Sequence, residues 1–489
     1  MRRLLVGMCV SLVSGCGGSA PPAASAPSAV GAAAPAADRG PDSNPASQAA
    51  RAWREVEWLG AKLFLTEDEV EQIHVESNGV GVVGDRVVWV AVDGPQDLGR
   101  LARVKEPTTV QLRTLDPEVV AAVAKLAAKT PLELQVSDSR ATDFSVLEQV
   151  SAVRGLSIDV SLEAKLPDFS VFSRIERLSV YDTHGDFPLV LPPSLVDLDL
   201  GDTELSAANA VPAIAKLTRL KALVLPRLVE GDAFAALGKL SQIERLSLPG
   251  TYLEGAHLSA LTAFPRLRSL TLGSQGGVDE GLGHLARLPA LRVLELPEMR
   301  LGQAGLDAIA ALGQLEELNL GGVLDGARWE PVGRLTALER LEVRFVDQGP
   351  EAATLARLPK LKKLTTGRSM TPAELARLSR LESLSVLSIV DAAQLRALAK
   401  LRRLRSLSLA QVEASDADFE SLASLLELRA FDTGAALGPD ALAALGRLPR
   451  LRALTGDLRG GLVGFPQLAV VSGLDCLSLP ETRALLACF

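Results

Sequence analysis

The sequence predicts an α/β solenoid, a stack of short strand–turn–helix units in place of a globular enzyme core. Three observations predict it. The pattern L-x-x-L-x-L returns about every 23 residues, as at Leu195/Leu198/Leu200, Leu220/Leu223/Leu225, Leu291/Leu294/Leu296 and Leu404/Leu407/Leu409. Apolar residues at helical spacing follow many of these runs, with alanine between them. Proline then ends several units, at Phe264-Pro265, Leu288-Pro289, Leu358-Pro359 and Leu448-Pro449. A single unit cannot bury its own leucines, so the units must stack.

Residues 291–314 show how one unit works. Leu291, Leu294 and Leu296 point inward from a short strand, and Leu301 follows after a turn. Leu306, Ile309 and Leu312 recur every third residue, which places them on one face of a short helix. Alanine between them permits close packing. Proline past the helix cannot continue it and frees the chain for the next strand. Repetition puts a parallel sheet on the inside and helices on the outside. Helices are wider than strands, so the stack curves into a horseshoe with the sheet on its concave face.

The N-terminus carries an address. Arg2 and Arg3 precede an apolar stretch from Leu4 to Val13, too short to span a bilayer comfortably. Residues 1–15 therefore read as a secretion signal. From Gly17 to Ala50 nearly every residue is Ala, Pro, Ser or Gly, a composition that cannot order itself. Residues 16–50 are expected to be a tether with a mean reach on the order of 30 Å. Residues 51–85 read as an N-terminal cap. Trp53, Val56, Leu59 and Leu63 are spaced for one helical face, and Ile73 and Val75 predict a first strand. Repeats are expected over 86–473, about 17 or 18 of them, starting at Val87/Val90/Val92. The last begins near Leu468 or Leu474, and 474–489 form a C-terminal cap.

Period and leucine pattern together resemble the leucine-rich-repeat family over about four-fifths of the chain, most closely its ribonuclease-inhibitor-like and bacterial 24-residue types. The resemblance implies a non-enzymatic protein that binds a protein partner through its concave face. One departure is clear. The family often places asparagine three residues after the last strand leucine, where it satisfies a ladder of backbone groups. Here that position holds Thr203, Leu228, Thr251, Gln275, Met299, Val323 and Val412. The turns must therefore satisfy their backbone in another way. A second resemblance lies at Val13-Ser14-Gly15-Cys16, which is similar to the lipobox of bacterial lipoproteins. It implies cleavage before Cys16, lipid on its sulfur and a membrane anchor. Gly17 after the cysteine then favours the outer membrane of a two-membrane bacterium.

Composition narrows the partners. The chain of 489 residues has a formal charge of −8, and loss of residues 1–15 removes two more cations. An acidic chain without a basic run is a poor nucleic-acid ligand. Four cysteines are present, of which Cys9 leaves with the signal and Cys16 takes lipid. Cys476 and Cys488 remain. In an exported chain they are either one disulfide, worth roughly 3 kcal/mol, or two buried thiols. Their spacing and the absence of histidine partners argue against zinc.

Catalytic patterns are weak. Gly79-x-Gly81-x-x-Gly84 matches a dinucleotide fingerprint, but Arg86 to Val92 reads as a strand where that fingerprint requires a helix. His74, His184, His257 and His284 fall at unrelated repeat phases. Neither G-x-S-x-G nor H-E-x-x-H occurs. Asp197 and Asp199 share one strand face, yet Gly201 stands where a calcium loop needs a ligand. They read as solvated acids. No catalytic residue, metal or cofactor is assigned.

The concave face is the candidate site. In L-x-x-L-x-L-x its third, fifth and seventh positions face the groove. Most are small and polar. A mixed-charge band stands out, formed by Glu295, Glu317, Arg340, Glu342, Arg344 and Lys363, with Trp89 and Tyr181 as the aromatics of this face. Acids and bases fall on adjacent strands, where they pair with one another or with a protein partner. A structural spacer without a discrete ligand is the alternative.

Overall fold

The computed structural model describes residues 80–458, apart from 84–85, 139, 160–163, 182, 184, 228–233, 251–253, 274–278, 324–326 and 346–347. Beyond that span it describes strand backbone at 54–58, 61–65, 73–76 and 470–472. Cys16, the signal and the tether, His184, Cys476, Cys488 and the segment 474–489 lie outside the described residues.

Two strands, β1 (Arg54–Trp58) and β2 (Ala61–Leu65), form an antiparallel hairpin. This replaces the helix expected over Trp53–Leu63. Val56 and Trp58, like Leu63 and Leu65, also alternate with a period of two, so the same apolar residues satisfy a strand. Next come β3 (Ile73–Glu76), β4 (Val80–Val83) and β5 (Arg86–Val92), paired antiparallel in order. Ile73 and Val75 thus fall in a strand. Gly81 sits within β4 opposite Trp89, so the glycine-rich segment is not a phosphate loop.

From β5 onward each strand pairs in parallel with the next. The run continues through β6 (Thr108–Leu112), β7 (Leu132–Val136), β8 (Gly155–Asp159) and β9 (Arg177–Tyr181). It proceeds through β10 (Asp197–Asp199), β11 (Ala222–Val224), β12 (Arg245–Leu248), β13 (Ser269–Leu272) and β14 (Val293–Leu301). Then follow β15 (Glu317–Val323), β16 (Arg340–Val343), β17 (Lys363–Thr366) and β18 (Ser383–Asp391). The sheet ends with β19 (Ser406–Glu413), β20 (Ala430–Leu437), β21 (Ala453–Leu458) and β22 (Val470–Ser472). Ala453 pairs in parallel with Val470, so β22 continues the sheet beyond β21; Leu468 and Leu474 lie outside the described residues.

The core lies between this sheet and the returning segments. Leu291, Leu294, Leu296, Leu301, Leu306, Ile309 and Leu312 are all fully buried, so both the strand and the helix of one unit deliver their apolar residues to it. Return segments are α-helices in some units, such as Pro117–Ala127 and Gln303–Ala310. In others they are 3-10 helices, such as Gly255–Ala263 and Asp279–Arg287. The result is a leucine-rich-repeat solenoid.

The missing asparagine ladder has two substitutes. First, several strands continue past a bulge into a second parallel stretch. β14 shifts register between Leu296 and Arg300, then pairs Arg300 with Gly322 and Leu301 with Val323. β18 and β20 do the same, pairing Val390 with Val412 and Leu437 with Leu458. Second, acids cross from one unit to the next. The amide of Gly302 donates to Asp279 Oδ2 at 2.7 Å. Asp416 accepts from the amides of Gly438 at 2.8 Å and Asp440 at 2.7 Å. Both acids serve helix starts one unit along, whose free N–H groups need acceptors.

Candidate partner-binding face

Alternation along each short strand presents one row of side chains to the core and the other to the groove. The register pairs align the groove-facing residues into rows that cross the strands. The first row runs Glu133, Gly155, Arg177, Asp197, Ala222 and Arg245 over β7 to β12. Two of its ion pairs span a whole strand. Arg177 Nε donates to Glu133 Oε2 at 3.1 Å across β8, where Gly155 leaves the space. Arg245 Nη2 reaches Asp197 Oδ2 at 3.0 Å across β11, where Ala222 is small and buried. Burial pushes the Glu133 carboxyl above the usual carboxylate range, against the pull of Arg177.

The groove's N-terminal end is covered. Trp89 occupies a groove-facing position but is buried, as are Thr109, Gln111 and Gln135. β2 packs against β6 at this end. Trp89 is therefore part of the packed interior and does not serve as an aromatic anchor. Gln111 Oε1 and Gln135 Oε1 have no hydrogen-bond partner among the described residues.

Tyr181 remains partly exposed, and its hydroxyl donates to Asp199 Oδ2 at 3.0 Å. Asp197 and Asp199 are thus engaged with Arg245 and Tyr181. Among the described residues no group of three or more acids, histidines or cysteines could hold a metal ion.

The mixed-charge band is assembled as one surface over β14 to β17. Glu317 pairs in register with Arg340, and Arg340 with Lys363. Glu295, Asn319 and Glu342 lie side by side in the next row. Much of the band pairs internally. Arg340 Nη1 lies 3.4 Å from Glu317 Oε2, and Arg344 contacts Glu342. Thr271 Oγ1 donates to Glu295 Oε2 at 2.9 Å. Asn319 is buried between the two glutamates, and its Oδ1 has no partner among the described residues. Arg344 is exposed at the groove's rim.

Sequence reasoning missed the aromatic at that rim. Phe345 is 40% exposed, immediately after Arg344, and the Arg300 guanidinium lies 5.6 Å from its ring centroid. Arg300 stands there because β14 bulges after Leu296 and resumes pairing with β15, the strand that separates it from β16. Phe345 falls one residue beyond the groove-facing positions, so the repeat pattern alone does not select it. Its only sequence signal is an aromatic among turn residues that are mostly small.

No protein-family model matches the chain, and no curated protein matches it. Among solved structures, an internalin from Listeria monocytogenes is 18% identical, with 74% of this chain and 96% of that one covered and a TM-score of 0.39. A leucine-rich-repeat protein from Leptospira interrogans is also 18% identical, with 74% and 92% covered and a TM-score of 0.38. The leucine-rich-repeat ectodomain of a plant membrane receptor kinase from Arabidopsis thaliana, in complex with Casparian strip integrity factor 2, is 14% identical. It covers 76% of this chain and 58% of its own, with a TM-score of 0.36.

Proposed function

We propose that this leucine-rich-repeat solenoid is a non-enzymatic recognition protein of a bacterial envelope, binding a protein partner through the second half of its concave face. Lipid on Cys16 and the tether 16–50 would hold it at a membrane, with Gly17 favouring the outer one. The observation that carries the reading is the rim cluster of Arg300, Arg344 and Phe345 beside the mixed-charge band. Arginine and aromatic side chains dominate the energetics of protein interfaces, particularly where they meet a desolvated pocket. The internal pairs of Glu317 with Arg340 and Glu342 with Arg344 fix these side chains before a partner arrives, which lowers the ordering cost of binding. They also favour the second reading, a structural spacer whose charges serve only the solenoid. Affinity capture on the immobilised full chain separates the two. Recognition expects one envelope or secreted protein retained by the parent and lost by Arg344→Ala/Phe345→Ala. A spacer expects no saturable partner on either chain.

A further inference from the structure

A strip of cations runs along one edge of the solenoid, outside the concave face. It lies in the loops that lead from each return segment into the next strand. Each loop from Lys216 to Arg450 has the form x-L-x-x-L, with its first leucine or phenylalanine buried. The residues flanking that buried position are often cationic. Lys216/Arg219, Arg357/Lys360 and Lys400/Arg403 are three such pairs, spaced i and i+3. Arg377/Arg380 and Arg447/Arg450 repeat the spacing, and Lys239, Arg266, Arg287 and Arg334 supply one cation each. In the first flanking position no loop of this run carries an acid, and in the second only Glu427 does. This is the reverse of the chain's overall balance of −8.

The strip is exposed and largely unspent. Lys216, Arg219, Arg357, Lys360, Lys400 and Arg403 are all exposed, and none forms an ion pair with a described residue. Arg447 and Arg450 are the exceptions, paired with Glu420 and Glu427. The adjoining row, one residue into each unit, behaves differently. There Lys221 meets Glu244, Arg292 meets Glu316 and Lys362 meets Glu339, so acids and bases cancel. Backbone bonds tie that row together, with Lys362 N to Glu339 O at 2.9 Å and Glu382 N to Lys362 O at 2.8 Å. Successive loops are therefore one strand spacing apart, and the strip is on the order of 50 Å long. Neighbouring charges lie within one screening length of each other at physiological salt and act together.

Helix dipoles do not account for it. The return segments before several of these loops are four-residue helices, such as Ala352–Leu355 and Pro372–Leu375, and the second cation lies beyond the helix. A second observation identifies the partner. Few large apolar side chains are exposed among the described residues, and three of them lie at this edge. Val171 and Leu426, 39% and 55% exposed, occupy loops of the strip's form, and Val190 lies just before Leu191-Pro192-Pro193-Ser194-Leu195, the corresponding loop of the unit that precedes the strip. Leu426 falls in a loop that lacks cations. Exposed aromatics for stacking bases are absent from these loops.

We propose that this edge is a docking surface for an anionic lipid bilayer, with the cations at the phosphate headgroups, Leu426 dipping within the strip and Val171 and Val190 beyond its first end. The edge presents the loops of successive units as one continuous row, so its cations can meet a surface together. Docked this way, the groove opens sideways along the membrane. The inference does not depend on the concave-face reading.

The test is partition of the full chain onto vesicles of phosphatidylcholine, with and without phosphatidylglycerol. The apolar N-terminus contributes to both vesicle types and Arg2 and Arg3 add a constant part to the anionic excess, so the part of the excess that edge substitutions remove reads the edge. The parent is expected to bind the anionic vesicles about tenfold more tightly or better. Arg357→Gln/Lys360→Gln/Arg377→Gln/Arg380→Gln is expected to lose most of that excess. Lys216→Gln/Arg219→Gln/Lys400→Gln/Arg403→Gln serves the same purpose if the first variant does not fold by circular dichroism. Equal binding to both vesicle types overturns the proposal, as does an excess that survives the substitutions. Tight binding of a single-stranded oligonucleotide with no anionic excess on vesicles also overturns it and makes nucleic acid the ligand. Partner capture is measured on the same variants, so failure of one reading leaves the other standing.

Discussion

Gly281 and Gly255 face each other between adjacent return segments, and a Cβ on Gly281 would collide with the Gly255 backbone. The two 3-10 helices, Asp279–Arg287 and Gly255–Ala263, approach this closely because neither residue has a side chain. Backbone cannot step aside as a flexible side chain can. Gly281→Ala is expected to lower unfolding free energy by about 1–3 kcal/mol, the usual cost of overpacking. Gly283→Ala, in the same helix but with open space at its Cβ, is expected to cost nothing measurable. Urea unfolding of both variants checks the contrast. A similar steric argument explains Gly155, which leaves room for Glu133 to reach Arg177 over β8. Small residues in the groove are therefore not simply bland surface. Some of them make long charge pairs possible.

At the scale of the element, each unit depends on its neighbour for hydrogen bonds as well as for burial. Asp416 serves the start of the helix Pro439–Gly446 from the preceding unit. Asp416→Ala is expected to cost about 1 kcal/mol, as for loss of an ordinary N-cap, with faster amide exchange at Gly438 and Asp440. Unchanged exchange there would remove Asp416 from this role. Much of the element pattern was legible in the sequence. The leucines at 291, 294 and 296, and those of the helix after Leu301, lie where the period of the repeat placed them. Other elements were not legible, for physical reasons. Residues 51–65 carry apolar residues whose spacing fits a period of 3.6 and a period of 2 alike, so the hairpin β1–β2 reads as a helix. Trp89 lies on the expected face, but it is buried at the end of the sheet where β2 meets β6, and the repeat pattern carries no signal for that packing. The bulge that brings Arg300 to Phe345 has no local signature, since it depends on how β14 meets β15. The cationic loops, by contrast, were in plain view as repeated x-L-x-x-L. They become an edge only once successive loops are known to stack.

For the whole molecule, the two proposed roles fall on separate faces. The concave face is polar and internally paired, with the proposed anchors Arg300, Arg344 and Phe345 at its rim. The loop edge is cationic, exposed and partly apolar. A lipid on Cys16 would concentrate the domain at a membrane, and the loop edge would then fix its orientation. The central claim is that the rim meets a protein partner, and site-specific photo-crosslinking tests it most directly. A photoreactive side chain is placed at Phe345 of the full chain in the cells that make it, and another at exposed Ser259 on the outer helices as a control. The account predicts one discrete crosslinked protein from position 345, absent from 259 and lost when Arg344→Glu is added. No product from position 345, or the same products from both positions, would contradict it.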